Sequence, residues 1–292
     1  MSGSTLLVTG ASGHLGRRVI ELLLEAQAGP IIAATRTPEK LSDFSAKGVT
    51  VRQASFDNPA SLATAFAGVD RLLLISTDAT SVPGFRLNQH VTAVKAAQAA
   101  GVQHIIYTSI VNPGPETPVL LAPDHYGTEA ALTESTMGWT SLRNNLYADM
   151  LPGSLSRAIE IGQHYSAAGD GKTAYVTRED CARTAAAALA SDFTGRRALD
   201  VTGPQALSQA DLVALASKIS GKSVTYVPIS AEAAVAGMVG AGLPESAAEL
   251  YVSFDTAIAQ GIFQDVSNTV EELSGKKPIA VESLLASELA AV

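Results

Sequence analysis

The stretch LLVTGASGHLGRRV, residues 6–19, decides the fold, because three evenly spaced glycines follow an apolar run. They separate a β-rich segment from a segment whose apolar residues have helical spacing. In a strand–turn–helix, such glycines permit a tight turn, let a diphosphate approach the backbone and let the helix pack closely. The N–H groups and the dipole at the helix start then favour negative charge. The sequence predicts a dinucleotide-binding loop, against the alternative of a turn that only needs glycine; its residues are Gly10, Ala11, Ser12, Gly13, His14, Leu15 and Gly16.

The first half of the chain alternates β-rich runs with helical spacings. The predicted strands are residues 5–9, 31–35, 49–53, 70–76, 104–109 and 139–143. The predicted helices are residues 15–25, 38–46, 59–66, 88–100 and 125–135. Near-continuous apolar strands joined by helices are typical of a parallel sheet covered on both faces. The predicted fold class is therefore α/β, a doubly wound parallel sheet of the Rossmann type.

The regular alternation of β-rich and helical segments ends after about residue 146. We expect residues 1–150 to form the dinucleotide-binding domain and residues 151–292 to form mainly a smaller α+β lobe that binds the substrate. Residues 173–203 contain one more helix and strand, which can return to the sheet. Ser208 and Asp211 stand at the spacing of a capping box before the next helix.

Composition excludes several classes of protein. Of the 292 residues, 47% are hydrophobic and 16% are charged, which is typical of a globular chain. The net charge of −8 disfavours nucleic acid as a partner. The chain has a single cysteine, Cys181, and we find no signal peptide, so we expect a cytoplasmic protein. No apolar run approaches the ~20 residues of a membrane span, so no membrane partner is expected. The five histidines show no metal-binding spacing, so no metal is expected.

The end of the second strand indicates which dinucleotide binds. Sites for NAD usually carry an acidic residue about 20 residues past the glycines, but this chain has Thr35 and Arg36 there. A guanidinium suits a 2′-phosphate, and Lys40 would lie on the same side of the following helix and add charge. The alternative is that Arg36 and Lys40 are ordinary surface residues that bind no phosphate. We expect NADPH as the cofactor, with NADH binding more weakly.

Polar residues near other strand ends are further candidates for cofactor contacts. Asp57 could accept a hydrogen bond from the adenine amino group, or it could belong to a helix start capped by Asn58. Ser76, Thr77 and Ser109 follow the fourth and fifth strands, where small hydroxyls can meet ribose, although such residues are common in loops.

Several motifs together resemble one known family. They are VTGASGHLG, AATRTPEK, VTVRQASFDNPASL, AFAGVDRLLLIS, AAGVQHIIYTS, SLRNNLY and AAGDGKTAYVTRED. Their order resembles the NmrA-like branch of the short-chain dehydrogenase/reductase superfamily, and within it the members that reduce quinones and dyes. The resemblance runs through most of the chain and is strongest over the first 180 residues. It implies an NADP-binding domain with a small carboxyl-terminal lobe, and Arg36 matches the arginine that binds the 2′-phosphate.

The usual catalytic dyad of this superfamily is absent. None of the seven tyrosines is followed four positions later by lysine. His125 and Glu129 fall where the resemblance implies a His-x-x-x-Glu pattern, four apart on one helix face. They are either a catalytic or substrate-orienting pair or a structural one. Tyr126 lies on a different face of the helix, where it either forms a wall of the substrate site or packs in the core.

The missing dyad limits the reaction. Hydride transfer to an unactivated ketone creates an alkoxide that needs an acid, whereas a reduced quinone is an anion that water can protonate. Catalysis would then be mainly proximity of the nicotinamide and the acceptor. After the sixth strand, Asn144 is a candidate nicotinamide contact, Asn145 a candidate substrate contact and Tyr147 a candidate catalytic aromatic face. The alternatives are helix capping for the asparagines and core packing for Tyr147.

The predicted function is NADPH-dependent hydride transfer to quinones or similar electron-poor conjugated acceptors. One alternative is an NmrA-like, NADP-sensing regulator without turnover. Another is a reductase of dyes, imines or activated C=C bonds. The expected partner is a small-molecule acceptor, and a homodimer is an open alternative.

Overall fold

The computed structural model describes residues 3–80 and 82–289, and these divide into two compact units. Unit 1 is built from the described residues of Met1–Ile110, Asp124–Arg143 and Glu179–Asp200. Unit 2 is built from those of Val111–Pro123, Asn144–Arg178 and Val201–Val292.

The described strands and helices follow in chain order. The strands are β1 (Leu6–Val8), β2 (Ile31–Thr35), β3 (Thr50–Gln53), β4 (Arg71–Leu74), β5 (His104–Ile110), β6 (Gly138–Asn144), β7 (Gln163–Ser166), β8 (Lys172–Thr173), β9 (Arg196–Val201), β10 (Leu207–Ser208) and β11 (Thr225–Pro228). The α-helices are α1 (His14–Glu25), α2 (Ser42–Ser45), α3 (Pro59–Phe66), α4 (Phe85–Ala99), α5 (Ala122–Glu134), α6 (Leu151–Ile161), α7 (Arg178–Ala190), α8 (Gln209–Ser220), α9 (Ala231–Gly240), α10 (Glu245–Ala259), α11 (Thr269–Ser274) and α12 (Val281–Leu289).

A parallel seven-stranded sheet organises unit 1. Its strand order is β3-β2-β1-β4-β5-β6-β9, so the order reverses beside β1. The predicted α/β doubly wound fold is confirmed. The carboxyl ends of parallel strands next to such a reversal form the edge where these sheets bind ligands.

Local sequence explains most element boundaries of unit 1. Pro59 starts α3, and the Asn58 side chain accepts hydrogen bonds from the N–H groups of Ala60 and Ser61. Gly48 and Gly68 end their helices with φ of +85° and +71°, a conformation that favours glycine. The prediction of one helix over residues 38–46 is wrong, because a 3₁₀ turn at Pro38–Leu41 precedes the short α2.

Helices bury apolar faces against the sheet. One apolar cluster joins Leu72 and Leu74 of β4 to Phe66 and to residues of α4. Each of these residues is at most 3% exposed. Arg71 is also buried, because its guanidinium donates to the carbonyls of Leu189 at 2.8 Å and Phe193 at 2.9 Å near the end of α7. The bond to Leu189 satisfies an acceptor that the end of α7 leaves unpaired.

Unit 2 combines two small sheets with helices. Strand β7 pairs in parallel with β11, and β8 pairs antiparallel with β10. The predicted capping box is confirmed, since Ser208 and Asp211 exchange hydrogen bonds at the start of α8. Helices α6, α8 and α12 share a buried apolar cluster that includes Leu155 and Leu285. In the described residues of both units, no helix has the length and apolar character to cross a membrane.

Candidate functional site

The glycine loop between β1 and α1 is too tightly packed for larger residues at two positions. Gly10 has a φ of +59°, and its carbonyl accepts the N–H of Gly13 at 2.9 Å. A Cβ on Gly16 would lie 2.4 Å from the Gly10 oxygen and 2.9 Å from the Ala11 Cα, both backbone atoms. A Cβ on Gly13 would lie 3.3 Å from the same oxygen. The glycines therefore let the loop fold directly against the first turn of α1.

The first turn of α1 keeps donors for an anion. The helix begins at His14, and no described side chain caps it. The first N–H groups of a helix have no partner within it, and their partial charge favours anions. The N–H of Ala11 is bonded to the Ala34 carbonyl at 3.2 Å, which anchors the loop to β2. His14 is exposed and Leu15 half-buried beside this turn.

The loop after β2 is tied to the glycine loop. The Thr35 hydroxyl donates to Ser12 Oγ at 3.0 Å and accepts the Thr37 N–H at 3.2 Å. Arg36, between those two threonines, is exposed. The expectation that Lys40 shares a helix face with Arg36 is wrong, because Arg36 precedes the 3₁₀ turn that begins at Pro38. Arg36 therefore precedes that turn and follows Thr35, the residue that bonds Ser12.

Polar side chains after β3 and β4 are joined through α4. Gln89 of α4 donates from Nε2 to Asp57 Oδ1 at 2.8 Å. Thr77 Oγ1 donates to Gln89 Oε1 at 2.7 Å. Ser76 is held through its N–H, which donates to Thr108 Oγ1 at 2.9 Å. Ser109 is buried inside β5, so the expectation that it follows that strand is wrong.

A buried polar network occupies the helix face on which His125 lies. The Arg86 guanidinium approaches His125 Nε2 at 3.1 Å, and Tyr107 Oη lies 2.9 Å from His125 Nδ1. A guanidinium only donates, so Nε2 accepts and the proton resides on Nδ1. Burial, with Arg86 nearby, holds the pKa of His125 well below its ordinary value. His125 is therefore neutral, with both ring nitrogens engaged.

Glu129 has its own partners and is not paired with His125. Arg143 binds it by two hydrogen bonds of 3.0 and 2.6 Å, and the Ser141 hydroxyl donates to Oε1 at 2.6 Å. Burial raises the pKa of the Glu129 carboxyl, but the bonds from Arg143 and Ser141 outweigh it and lower the pKa. The geometry favours the structural alternative for both residues, and their catalytic role stays a prediction. Tyr126 is 53% exposed, so its core alternative is wrong and the substrate wall stays a prediction.

The sequence reasoning missed three polar residues of α4. Arg86 Nε donates to the Thr77 carbonyl at 2.6 Å, and the Thr77 N–H donates to His90 Nε2 at 3.0 Å. With Gln89, these residues stand at i, i+3 and i+4, on one face of the helix. Polar residues at that spacing on one helix face were the available signal, although α4 carries other polar residues as well.

The three candidates of unit 2 have different surroundings. Asn145 Nδ2 donates to the Phe263 carbonyl at 3.0 Å and its Oδ1 accepts the Leu146 N–H at 2.8 Å. These bonds favour the structural alternative for Asn145, although its side chain caps the single N–H of Leu146 rather than a helix. Asn144 is 5% exposed and its Oδ1 is buried without a described hydrogen-bond partner, while Nδ2 approaches Tyr147 Oη at 3.5 Å. The half-buried Tyr147 carries the Arg178 guanidinium over its ring at 5.2 Å.

The residues present in unit 1 fit a dinucleotide. A glycine cradle that a Cβ would fill, uncapped helix donors and an exposed arginine stand at the carboxyl edge beside the sheet reversal. Among the described residues, no group of three or more His, Cys, Asp or Glu side chains could hold a metal ion. Fold and site define a Rossmann-type dinucleotide-binding protein.

Comparisons with known proteins identify the family. A family model described as NAD(P)H-binding matches residues 10–192. Quinone oxidoreductase 2 of Escherichia coli strain K12 is 38% identical over 271 residues, which cover 92% of this chain and 93% of that protein. The chain belongs to the NAD(P)H-binding, NmrA-like family.

Solved structures agree with this assignment. An NADPH-dependent quinone oxidoreductase from Escherichia coli, crystallised with NADPH, superposes with a TM-score of 0.92 at 35% identity and covers 97% of this chain and 99% of its own. The triphenylmethane reductase of Citrobacter sp., crystallised with NADP(H), gives a TM-score of 0.90 at 35% identity with the same coverage.

Proposed function

We propose that the protein is an NADPH-dependent oxidoreductase that transfers hydride to quinones or similar electron-poor conjugated acceptors. The observation that carries the proposal is the glycine cradle at the uncapped start of α1. It holds the diphosphate of a dinucleotide, and the relatives that bind NADPH reduce quinones or triphenylmethane dyes according to their names.

The chain's own residues bind and orient the reactants. Once bound, the reduced nicotinamide supplies a hydride. The N–H groups at the start of α1 hold the diphosphate, and Arg36 pairs with the 2′-phosphate, with Lys40 as a second cation. Ser12 and Thr35 hold the two loops together at this end. In unit 2, Asn144 Oδ1 is the acceptor available to a carboxamide, and Tyr147 offers an aromatic face.

The state of His125 and Glu129 supports an acceptor that needs no acid. Neither the neutral, buried His125 nor the ion-paired Glu129 carboxylate can act as an acid at neutral pH. A hydroquinone anion is stabilised by its own ring and takes its proton from water. Proximity of the two rings then provides most of the rate enhancement.

Location and partners complete the proposal. The protein acts in the cytoplasm, where its single cysteine, Cys181, stays reduced. Its partner is a small-molecule acceptor whose binding residues lie in the smaller lobe, and a homodimer remains an open alternative.

Arg36→Ala is expected to weaken NADPH binding about 30-fold, or about 2 kcal/mol, because a charge-assisted contact to the 2′-phosphate is lost. NADH has no 2′-phosphate, so its affinity should change less than threefold. Titration calorimetry with both nucleotides measures the ratio. Arg157→Ala, which removes an exposed arginine paired with Glu160 in unit 2, is the matched control. Equal losses for NADPH and NADH would show that Arg36 does not bind the phosphate.

The reaction is tested with a panel of benzoquinones and naphthoquinones. Purified protein should oxidise NADPH, followed at 340 nm as is usual for nicotinamides, in proportion to the added quinone (roughly one NADPH per quinone for a two-electron transfer). Triphenylmethane and azo dyes, imines and activated alkenes form a second panel. Tight NADPH binding with no oxidation by any acceptor would overturn the enzyme proposal in favour of an NADP-sensing regulator.

A further inference from the structure

The candidate cofactor residues of unit 1 are connected by one buried side chain. Gln89 lies in α4 with 8% exposure, and its amide bonds Asp57 on one side and Thr77 on the other. Asp57 is exposed and Thr77 half-buried, so both ends of the connection reach the surface while its middle is enclosed.

The two connected loops belong to different halves of the sheet. Asp57 follows β3 and Thr77 follows β4, and β2 and β1 lie between those strands. Three strand spacings separate β3 from β4 by roughly 14 Å. The two halves of a Rossmann sheet bind the two mononucleotide parts of the cofactor. Gln89 thus joins the adenosine half to the nicotinamide half.

The hydrogen bonds of this connection have a fixed direction. An ionised carboxylate only accepts, so the atom of Gln89 that faces Asp57 is Nε2. The amide oxygen then faces Thr77, and the Thr77 hydroxyl must donate its one proton to that oxygen. Thr77 Oγ1 is left with lone pairs alone, so it can accept a hydrogen bond but cannot donate one.

The position of Thr77 does not depend on its hydroxyl. Its carbonyl accepts Arg86 Nε at 2.6 Å and its N–H donates to His90 Nε2 at 3.0 Å. These backbone bonds keep the loop in place if the side chain changes. The hydroxyl therefore has the separate task of presenting an acceptor.

We propose that Gln89 is a positioning residue that couples the two halves of the nicotinamide dinucleotide site. Through it, the charge of Asp57 sets the Thr77 hydroxyl as an acceptor for a ribose hydroxyl of the nicotinamide half. The inference rests on the proposed cofactor, and it adds that adenine recognition at Asp57 and ribose recognition at Thr77 are energetically linked.

A double-mutant cycle measures this link. Asp57→Asn, Thr77→Val and the double variant are made in the native chain and again with Gln89→Met, and NADPH affinity is measured by calorimetry. Asp57→Asn and Thr77→Val should each weaken NADPH about 10-fold in the native chain. The double variant should bind NADPH at least threefold more tightly than the two single losses multiplied together would predict. Asp57→Asn lets the relay run in either direction and Thr77→Val removes its last member, so both changes act on the same relay. With Gln89→Met, the losses should multiply.

Three comparisons separate positioning from general damage. Thr77→Ser keeps the hydroxyl and should restore affinity to within threefold of the native value. Gln98→Met makes the same change on α4, where Gln98 accepts the Thr136 N–H, and should leave NADPH binding unchanged. Adenosine 2′,5′-bisphosphate, which lacks the nicotinamide half, should lose affinity with Asp57→Asn but less than twofold with Thr77→Val.

The outcomes distinguish the two proposals. Losses that multiply equally with Gln89 and with Gln89→Met would overturn the positioning role, even if NADPH binds well. A native chain that binds no NADPH would overturn the proposed function and this inference together. Melting temperatures of every variant identify any loss that comes from unfolding.

Discussion

Gly16→Ala is expected to weaken NADPH binding by about 100-fold or more, because losing two hydrogen bonds to a charged diphosphate costs about 3 kcal/mol or more. The new Cβ would lie 2.4 Å from the Gly10 oxygen and 2.9 Å from the Ala11 Cα. Both are backbone atoms, so the loop itself must move away from α1. The donors that hold the diphosphate then lose their alignment. The variant should also be less stable by about 1–3 kcal/mol, the usual cost of overpacking.

Two alanine variants of other glycines separate these effects. Gly13→Ala places a Cβ 3.3 Å from the Gly10 oxygen, a much milder contact, so it should cost less stability than Gly16→Ala while still obstructing the diphosphate. Gly153 lies in α6 with nothing within 4 Å of an added Cβ, and Gly153→Ala should keep binding and gain about 0.4–1 kcal/mol of stability. Calorimetry and urea unfolding give both quantities. Native affinity in Gly16→Ala would show that the diphosphate does not depend on this loop.

The parts of the fold that could be predicted are those governed by neighbouring residues. The glycine loop, the apolar strands and the caps at Asn58 and Ser208 depend on a few adjacent side chains, and the structure places each as expected. The expectation that Arg36 and Lys40 share one helix face was wrong. Pro38 starts a 3₁₀ turn, so the periodicity of an α-helix does not apply there.

The parts that could not be predicted depend on partners distant in sequence. Asn144 and Asn145 are adjacent and identical, yet their side chains have different surroundings at the end of β6. One bonds Phe263 and the other keeps a buried oxygen without a described partner. Likewise, Gln89 is uninformative alone, and its role follows only once α4 is found to start at Phe85 and to face Asp57 and Thr77.

Three buried histidines should make the protein strongly sensitive to mild acid. Burial, with arginines nearby, lowers the pKa of both His90 and His104 to about 3 and that of His125 well below 6.5. In the unfolded chain each has a pKa near 6.5. Below that pH the unfolded chain binds more protons than the folded one, so stability falls as the pH falls.

The size of this loss follows from the linkage of proton binding to folding. Between pH 7.5 and 5.5, each histidine should cost about 1.4 kcal/mol and the three together about 4 kcal/mol. Carboxyl groups add little in this window, because their unfolded pKa values lie near 4–4.5. Urea unfolding at both pH values measures the loss. His104→Gln should reduce it by about one third, and the exposed His14→Gln should leave it unchanged. An undiminished loss in His104→Gln would mean that this buried histidine is not one of its sources, contrary to the low pKa that burial gives it.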